Sequence, residues 1–240
     1  MLPYVYHCKL EHPLDTEYSF VLFTARSYID MGMQLLETQH WETQYSLSLD
    51  LFEMSASVSF MHGDITKLST CLGEISSHAR TFDNSLKASS LLVKFLASSS
   101  KFEEARSNCL IILSNLGEVF PSEVNLPLVL NEMSLLQITL RNITSNQIEL
   151  LPPMTDRNKL NAMKFLNMLC MYSLLSKPML LPLLSCRMVR LTMEYGFCDD
   201  SIVGLATAGL SVVSIYLRVI LIFHVVLKLT FSFSSLLLFS

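Results

Sequence analysis

Between residues 40 and 120 the apolar positions follow a helical period, and the pattern recurs when the segment is laid against itself. Ile65, Leu68, Leu72, Ile75 and Ala79 step by 3, 4, 3 and 4, which places them on one helix face. Phe102, Ala105, Cys109, Ile112 and Leu116 take the same steps 37 residues later. On the preceding helix, Met54 and Val58 map onto Leu91 and Phe95 at the same offset. His62-Gly63-Asp64 and Ser98-Ser99-Ser100 supply turn chemistry inside each pair. The pattern predicts a helix-turn-helix repeat. One such hairpin cannot cover its own apolar face, so neighbours must stack and share it.

The rest of the chain continues in helices. Residues 18 to 38 and 41 to 60 read as helical, the second carrying Tyr45, Leu49, Phe52, Ala56 and Phe60 on one face. Gly117 and Pro121 punctuate the end of the second repeat. A helix from about Leu126 to Arg141 follows, then a short one closing at Leu151, before Pro152-Pro153 forces an extended break. Thr155 or Asp156 is placed to cap the next helix, whose apolar face takes in Leu160, Met163, Leu166, Cys170 and Leu174. Lys177-Pro178 breaks again, another helix runs to Tyr195, and Gly196 suits a left-handed stop. Asp199, Asp200 or Ser201 can cap whatever comes next.

No segment alternates with period 2 for long enough to propose a sheet. The expected fold is therefore all-α: a right-handed α-solenoid of stacked antiparallel hairpins, similar to tetratricopeptide arrays, whose unit is about 34 residues. The expected organisation is an N-terminal extension over 1–17, the repeat domain over 18–210, and a hydrophobic C-terminal tail over 211–240.

Charge narrows the partners. The whole chain carries −4, but Arg218 and Lys228 are the only charged side chains after residue 201, so the first 201 residues carry −6. Such a body repels phosphate backbones and no basic stripe reverses this locally, which argues against nucleic acid as a partner. The six cysteines stand far apart without a C-x-x-C pair, and the opening MLPYVYHCKLEHPLD lacks the basic and apolar regions of a secretory signal. A reducing, cytoplasmic compartment is expected.

The residues that carry chemistry elsewhere are dispersed here. The seven glycines stand singly, without a P-loop or dinucleotide turn. His7, Cys8, Glu11 and His12 form a dense set of metal-ligating types, yet a spacing of five puts the two histidines off a common helix face, and the set reads as a solvated terminus. Glu103-Glu104 and Asp199-Asp200 read as solvated or capping pairs. His62 and His78 read as isolated, without a carboxylate or nucleophile at an orienting spacing. The thirteen methionines read as gap-fillers between helices. No catalytic, cofactor-binding or metal residue is nominated, no cofactor is implied, and enzymatic activity is not expected.

Three stretches together carry a resemblance: TARSYIDMGMQLLETQHWETQYSLSLDLFEMSA (Thr24 to Ala56), LSNLGEVFPSE (Leu113 to Glu123), and IELLPPMTDRNKLNAMKFLNMLCMYSLLSKPMLLPLLSCRMVRLTMEYG (Ile148 to Gly196). In that order they resemble the helical repeat region of large multi-sensor signalling kinases, which lies between an ATPase module and GAF and histidine-kinase modules. The likeness covers approximately residues 18 to 210, and LPPMTD is its most specific piece. It implies a scaffold that relays signals through protein or peptide partners, here as a truncated fragment. No kinase lysine, catalytic-loop aspartate or phospho-accepting histidine box is present, so no functional residue carries over. From about Val213 onward the likeness disappears.

The tail raises a second expectation, a membrane tether through residues 202–240. Residues 201 to 217 are uncharged, and snorkelling by Arg218 extends them to roughly the 20 residues a bilayer core demands. A second candidate, Val219 to Phe239, holds Lys228 near its middle, at a cost of about 2.5–3.5 kcal/mol that the apolar residues before it offset and those after it offset further. Arg187 and Arg190 upstream, with no basic residue after Lys228, would put the solenoid on the cytoplasmic side. A coding frame that ran on into unrelated text is the competing origin of the same composition.

Overall fold

A computed structural model of the chain describes residues 14–141, 143–144, 147–148 and 150–214, with side chains from residue 20 onward. The helices are α1 (Leu14–Gln34), α2 (His40–Thr43), α3 (Tyr45–His62), α4 (Ile65–His78), α5 (Phe82–Ser98), α6 (Phe102–Asn115), α7 (Leu126–Leu140), α8 (Arg157–Ser176), the 3-10 turn Pro178–Leu180, and α9 (Leu181–Tyr195). Residues 201–214 form α10. The described residues hold no strand, only an isolated parallel bridge between Pro153 and Phe197. The protein is all-α over these residues, and it divides into two compact units with the boundary between Ala105 and Arg106.

In the first unit α3 is the central element, packed against α1, α2, α4 and α5. It buries Leu51, Phe52 and Ala56, and also Ser48, Ser55 and Ser59, whose small side chains let neighbouring helices approach on a second side. Two of these hydroxyls tie neighbouring helices to α3. Ser48 Oγ donates to the carbonyls of His40 and Gln44 and lies 3.0 Å from His40 Nδ1, which fastens α2 onto α3. Cys71 Sγ on α4 reaches Ser55 Oγ at 3.4 Å. The expected helix over 41 to 60 is thus broken at Gln44 (φ −132°), and the expected helix over 18 to 38 runs from Leu14 to Gln34 instead.

The two predicted turns share one geometry. At the end of α3, Gly63 sits at φ 71°, Gly63 N–H donates to Phe60 O and Asp64 N–H donates to Ser59 O. At the end of α5, Ser100 sits at φ 61°, Ser100 N–H donates to Ala97 O and Lys101 N–H donates to Leu96 O. Every atom pair in the second set lies 37 residues after its counterpart, and both are left-handed stops that satisfy the last carbonyls of a helix. α4 and α6 then begin and end at positions offset by the same 37. The apolar stripes behave less uniformly. Leu68 and Ile75 are buried on α4 with Cys71 beside them, Leu72 and Ala79 are half-buried, and Ile65 is 58% exposed. Of the second stripe, Ala105, Cys109 and Ile112 on α6 and Leu116 just after it are buried, and Phe102 is half-buried.

In the second unit α9 packs against α7 and α8. α8 buries Ala162, Met163, Phe165, Leu166, Leu169 and Cys170, a wider face than the predicted one, and the predicted Leu174 is 59% exposed. Asp156 caps α8 by accepting from the amides of Asn158 and Lys159. A backbone clip joins the chain before α8 to the chain after α9: Met154 N–H donates to Phe197 O and Phe197 N–H donates to Pro152 O, each at 2.8 Å. Gly196 makes this approach attainable. It sits at φ 104°, and a Cβ there would lie 2.3 Å from Pro152 O. Pro152 and Met154 are therefore tied by main-chain hydrogen bonds to Phe197, directly after the Tyr195-Gly196 stop.

α10 belongs to this core. Ala208 and Leu205 join Leu136 of α7 with Cys186, Val189 and Met193 of α9, and Gly204 lies so close that an added Cβ would be 2.6 Å from Met188 Cβ. The first candidate membrane span, residues 201 to 217, thus begins with a helix whose small residues are spent on packing. Among the described residues no helix is long and apolar enough to cross a membrane. The second candidate, Val219 to Phe239, lies outside the described residues.

Candidate functional site: a buried charge centre and the adjoining groove

Of the residue types weighed for chemistry in the sequence and set aside, His7, Cys8, Glu11 and His12 fall outside the described residues. Glu104 meets Lys101 at 3.4 Å on the surface. Asp200 Oδ1 accepts from Asn167 Nδ2 at 2.6 Å, tying the start of α10 to α8, while Ser201 Oγ accepts from the Cys198 amide at 3.0 Å. His62 is exposed. His78 is not isolated: Glu74 lies 3.6 Å away one turn earlier, and the imidazole stacks on Trp41 with 4.6 Å between ring centroids. That aromatic nest continues through Tyr45 and Phe52, and Arg80 closes it with its guanidinium 4.0 Å above the Tyr45 ring. The His40–Ser48 pair has the distance of a nucleophile and its base. Ser48 is wholly buried and its hydroxyl is engaged by two carbonyls, so no substrate reaches it. Among the described residues no group of three or more His, Cys, Asp or Glu side chains is arranged to hold a metal ion.

The ion-paired carboxylate buried most deeply among the described residues is one that the sequence did not disclose. After α6 the chain turns at Gly117 (φ 82°), with Glu118 N–H donating to Leu113 O. This geometry sends Glu118 inward, where its side chain keeps 2% of its surface exposed. Lys159 Nζ of α8 reaches Glu118 Oε1 at 2.8 Å, and Arg187 of α9 binds both oxygens through Nε and Nη2, the latter at 3.0 Å. Burial alone would raise the Glu118 carboxyl. The hydrogen bonds from Arg187 and Lys159 outweigh it and hold the group below its ordinary value. The same bond raises Arg187. One carboxylate therefore gathers a helix turn, α8 and α9, and the charge of Glu194 acts on Arg187 as well. Lys159 also stands 5.4 Å from the centre of the Tyr195 ring.

Immediately after Glu118 the chain forms the wall of a groove of about 530 Å³. The facing wall is the α6 row Arg106, Leu110 and Ser114, one face at steps of four, and Lys177 with Leu180 completes the lining. The groove is apolar for the most part, and among the described residues its charged lining is Arg106 and Lys177, with no carboxylate. What such a place can do is bind. It has no nucleophile paired with a base. Glu118 was missed because a lone glutamate in LSNLGEVFPSE looks like ordinary solvated charge; the signal that could have exposed it is its position directly after the helix-stopping Gly117.

Comparison of the chain with protein-family models, with curated proteins and with solved structures finds no match to any of them.

Proposed function

We propose that this chain is a non-enzymatic interaction or signal-relay scaffold of tetratricopeptide-like hairpins, a piece of a multi-sensor signalling kinase that works in the cytoplasm between catalytic modules. The observation that carries the reading is the turn repeated at 37 residues, in which two main-chain hydrogen bonds and a left-handed residue recur in register. Apolar spacing alone can coincide by chance. Hydrogen-bonded stops at matched positions, followed by helices of matched length, are what duplication of one structural unit leaves behind.

Supporting the same reading, α5 packs against both α3 and α4, as the first helix of a following hairpin would. Polar bonds in the first unit also join residues about one unit apart: Arg26 to Asp64, Lys67 to Asp30, and Lys87 to Glu53. A solenoid tolerates loss of an internal unit because each hairpin contacts only its neighbours. Removing Asp64 through Ser100 joins Gly63 to Lys101 and rebuilds the turn in register. The expected product remains helical by circular dichroism and melts cooperatively; a collapsed or aggregated product would show that the helices form one indivisible core, and the reading would fail.

The apolar composition of residues 202–240 favours a second reading, a helical protein tethered to a membrane. It requires the segment beyond residue 214 to act alone, because α10 is committed to α9. Carbonate-resistant membrane association that persists after deletion of residues 215–240 would refute it.

A further inference from the structure

Resting on the scaffold reading, the geometry points to the groove between α6 and the 119–124 loop as the docking site for an extended peptide segment that alternates acidic and apolar side chains. The occupant follows from four features. The lining is mostly apolar, and Ile111 and Val119 on its rim remain 63% and 78% exposed, so a partner gains by covering them. Its two charged residues are both cations, in a body of negative net charge, and Lys177 has no acidic partner among the described residues. Ser114, Asn115 and Ser122 offer side-chain donors and acceptors to a peptide backbone. Finally, Arg106 to Asn115 spans nine helical rises, about 14 Å. At roughly 3.3 Å per residue this accommodates about four residues of extended chain, with alternate side chains directed to opposite sides.

The consequence is selectivity by charge as well as by shape. A carboxylate on one side of the strand meets Lys177, while its apolar neighbours on the other side face Leu110 of the α6 wall. A basic peptide of the same shape brings like charges together.

The test uses the full chain and three fluorescein-labelled pentapeptide pools of the form X-Z-X-Z-X, where X is an equal mixture of Leu, Val and Phe and Z is Glu, Gln or Lys. By fluorescence polarisation the Glu pool binds more tightly than the Gln pool by about three- to tenfold, the range expected for charge pairs at a solvated rim, and the preference shrinks as salt rises. Lys177→Glu reverses the order of the Glu and Lys pools. Ile111→Glu, at an exposed position that folding tolerates, weakens the Glu pool without altering the circular dichroism spectrum. Equal binding of the three pools, binding of none, or an unchanged preference in Lys177→Glu overturns the docking site. Displacement of the Glu pool by millimolar octanoate alone also overturns it, since the groove would then be a small-carboxylate site. None of these outcomes touches the scaffold reading, which stands or falls with the internal deletion.

Discussion

Replacing Glu118 by Gln keeps the shape of the side chain and removes the charge that Lys159 and Arg187 were recruited to meet. Breaking a fully buried ion pair by deleting one partner costs about 3–5 kcal/mol, because the other charge is left without compensation. Here the stranded cations keep 17% and 31% of their side-chain surface in contact with solvent, and the amide oxygen can still accept one hydrogen bond. Water therefore relieves part of the loss, and the expected cost is about 2 kcal/mol, a factor of about 30 in the folded-to-unfolded ratio. Replacing Glu118, Lys159 and Arg187 together by Met removes the charges in company and is expected to cost less than the single change.

The readout must report the second unit. Cys109, Cys170 and Cys186 are buried there, so pulsed alkylation across a urea series, read by mass spectrometry, follows its opening directly. Glu118→Gln should shift the midpoint of their labelling to lower urea at pH 7. The pH dependence carries the sign. The Glu118 carboxyl is held below its ordinary value of 4.5 in the folded chain, so its stabilising contribution is complete above that value and is lost as pH falls through the folded one. The gap between wild type and Glu118→Gln must therefore narrow below about pH 4.5. Coincident midpoints at pH 7, or a gap that stays constant down to pH 3, would refute the assignment.

Gly196→Ala should lower stability by more than about 2 kcal/mol, because a Cβ 2.3 Å from Pro152 O forces apart the two hydrogen bonds of the clip; a melting temperature equal to wild type contradicts it. Ser100→Gly should stabilise by about 0.5 kcal/mol and Gly63→Ala should destabilise by about 1 kcal/mol, since both positions are left-handed and nothing lies within 4 Å of the Gly63 Cβ site to confuse the backbone effect. Opposite signs in urea titration, or no response at Ser100, would break the equivalence of the two turns. Burial pushes the Cys109 and Cys170 thiols up to about 12 and Cys186 up to about 11, so iodoacetamide at pH 8 should modify the half-exposed Cys198 well before them in a Cys8→Ser background. Equal rates would show that the second unit is not packed as described.

What could be read from the chain beforehand was whatever is written locally. Gly63, Gly117, Asp156 and Gly196 announce stops and caps through their own backbone preferences, and each does what its residue type favours. The helical period found α4, α6, α7, α8 and α9 within a few residues. It failed where burial comes from more than one side. α3 hides Ser48, Ser55 and Ser59 against neighbours, and polarity scales count these as surface. Leu174 lies on the predicted stripe of α8 yet faces solvent, since a stripe says which residues share a face and not how far the partner extends along it. Glu118, Lys159 and Arg187 come from three separate stretches, with 41 and 69 residues between the carboxylate and its cations. No local pattern brings them together; only the fold does.

The distribution of polar contacts explains how apolar helices of such similar pattern find one register. Burial of α3 against α4 and α5 is non-directional, and sliding a helix by one turn would restore much of the same apolar cover. Such a slip would separate Lys67 from Asp30, Arg26 from Asp64, and Lys87 from Glu53, and would carry Asn84 away from the Tyr45 hydroxyl that it meets at 2.7 Å. Each of these contacts is partly solvated and individually weak. Their value lies in the difference between registers, because every one is made in the native pairing and lost in its shifted neighbour. Charge thus selects among arrangements that hydrophobic burial leaves nearly equal. The same division of labour runs through the second unit, where Arg190 holds Glu132 of α7 and Arg187 holds Glu118, each from successive turns of α9. If register selection is the role of these pairs, exchanging the signs of Lys87 and Glu53 together should leave the fold intact, whereas reversing either one alone should broaden the unfolding transition more than it lowers its midpoint.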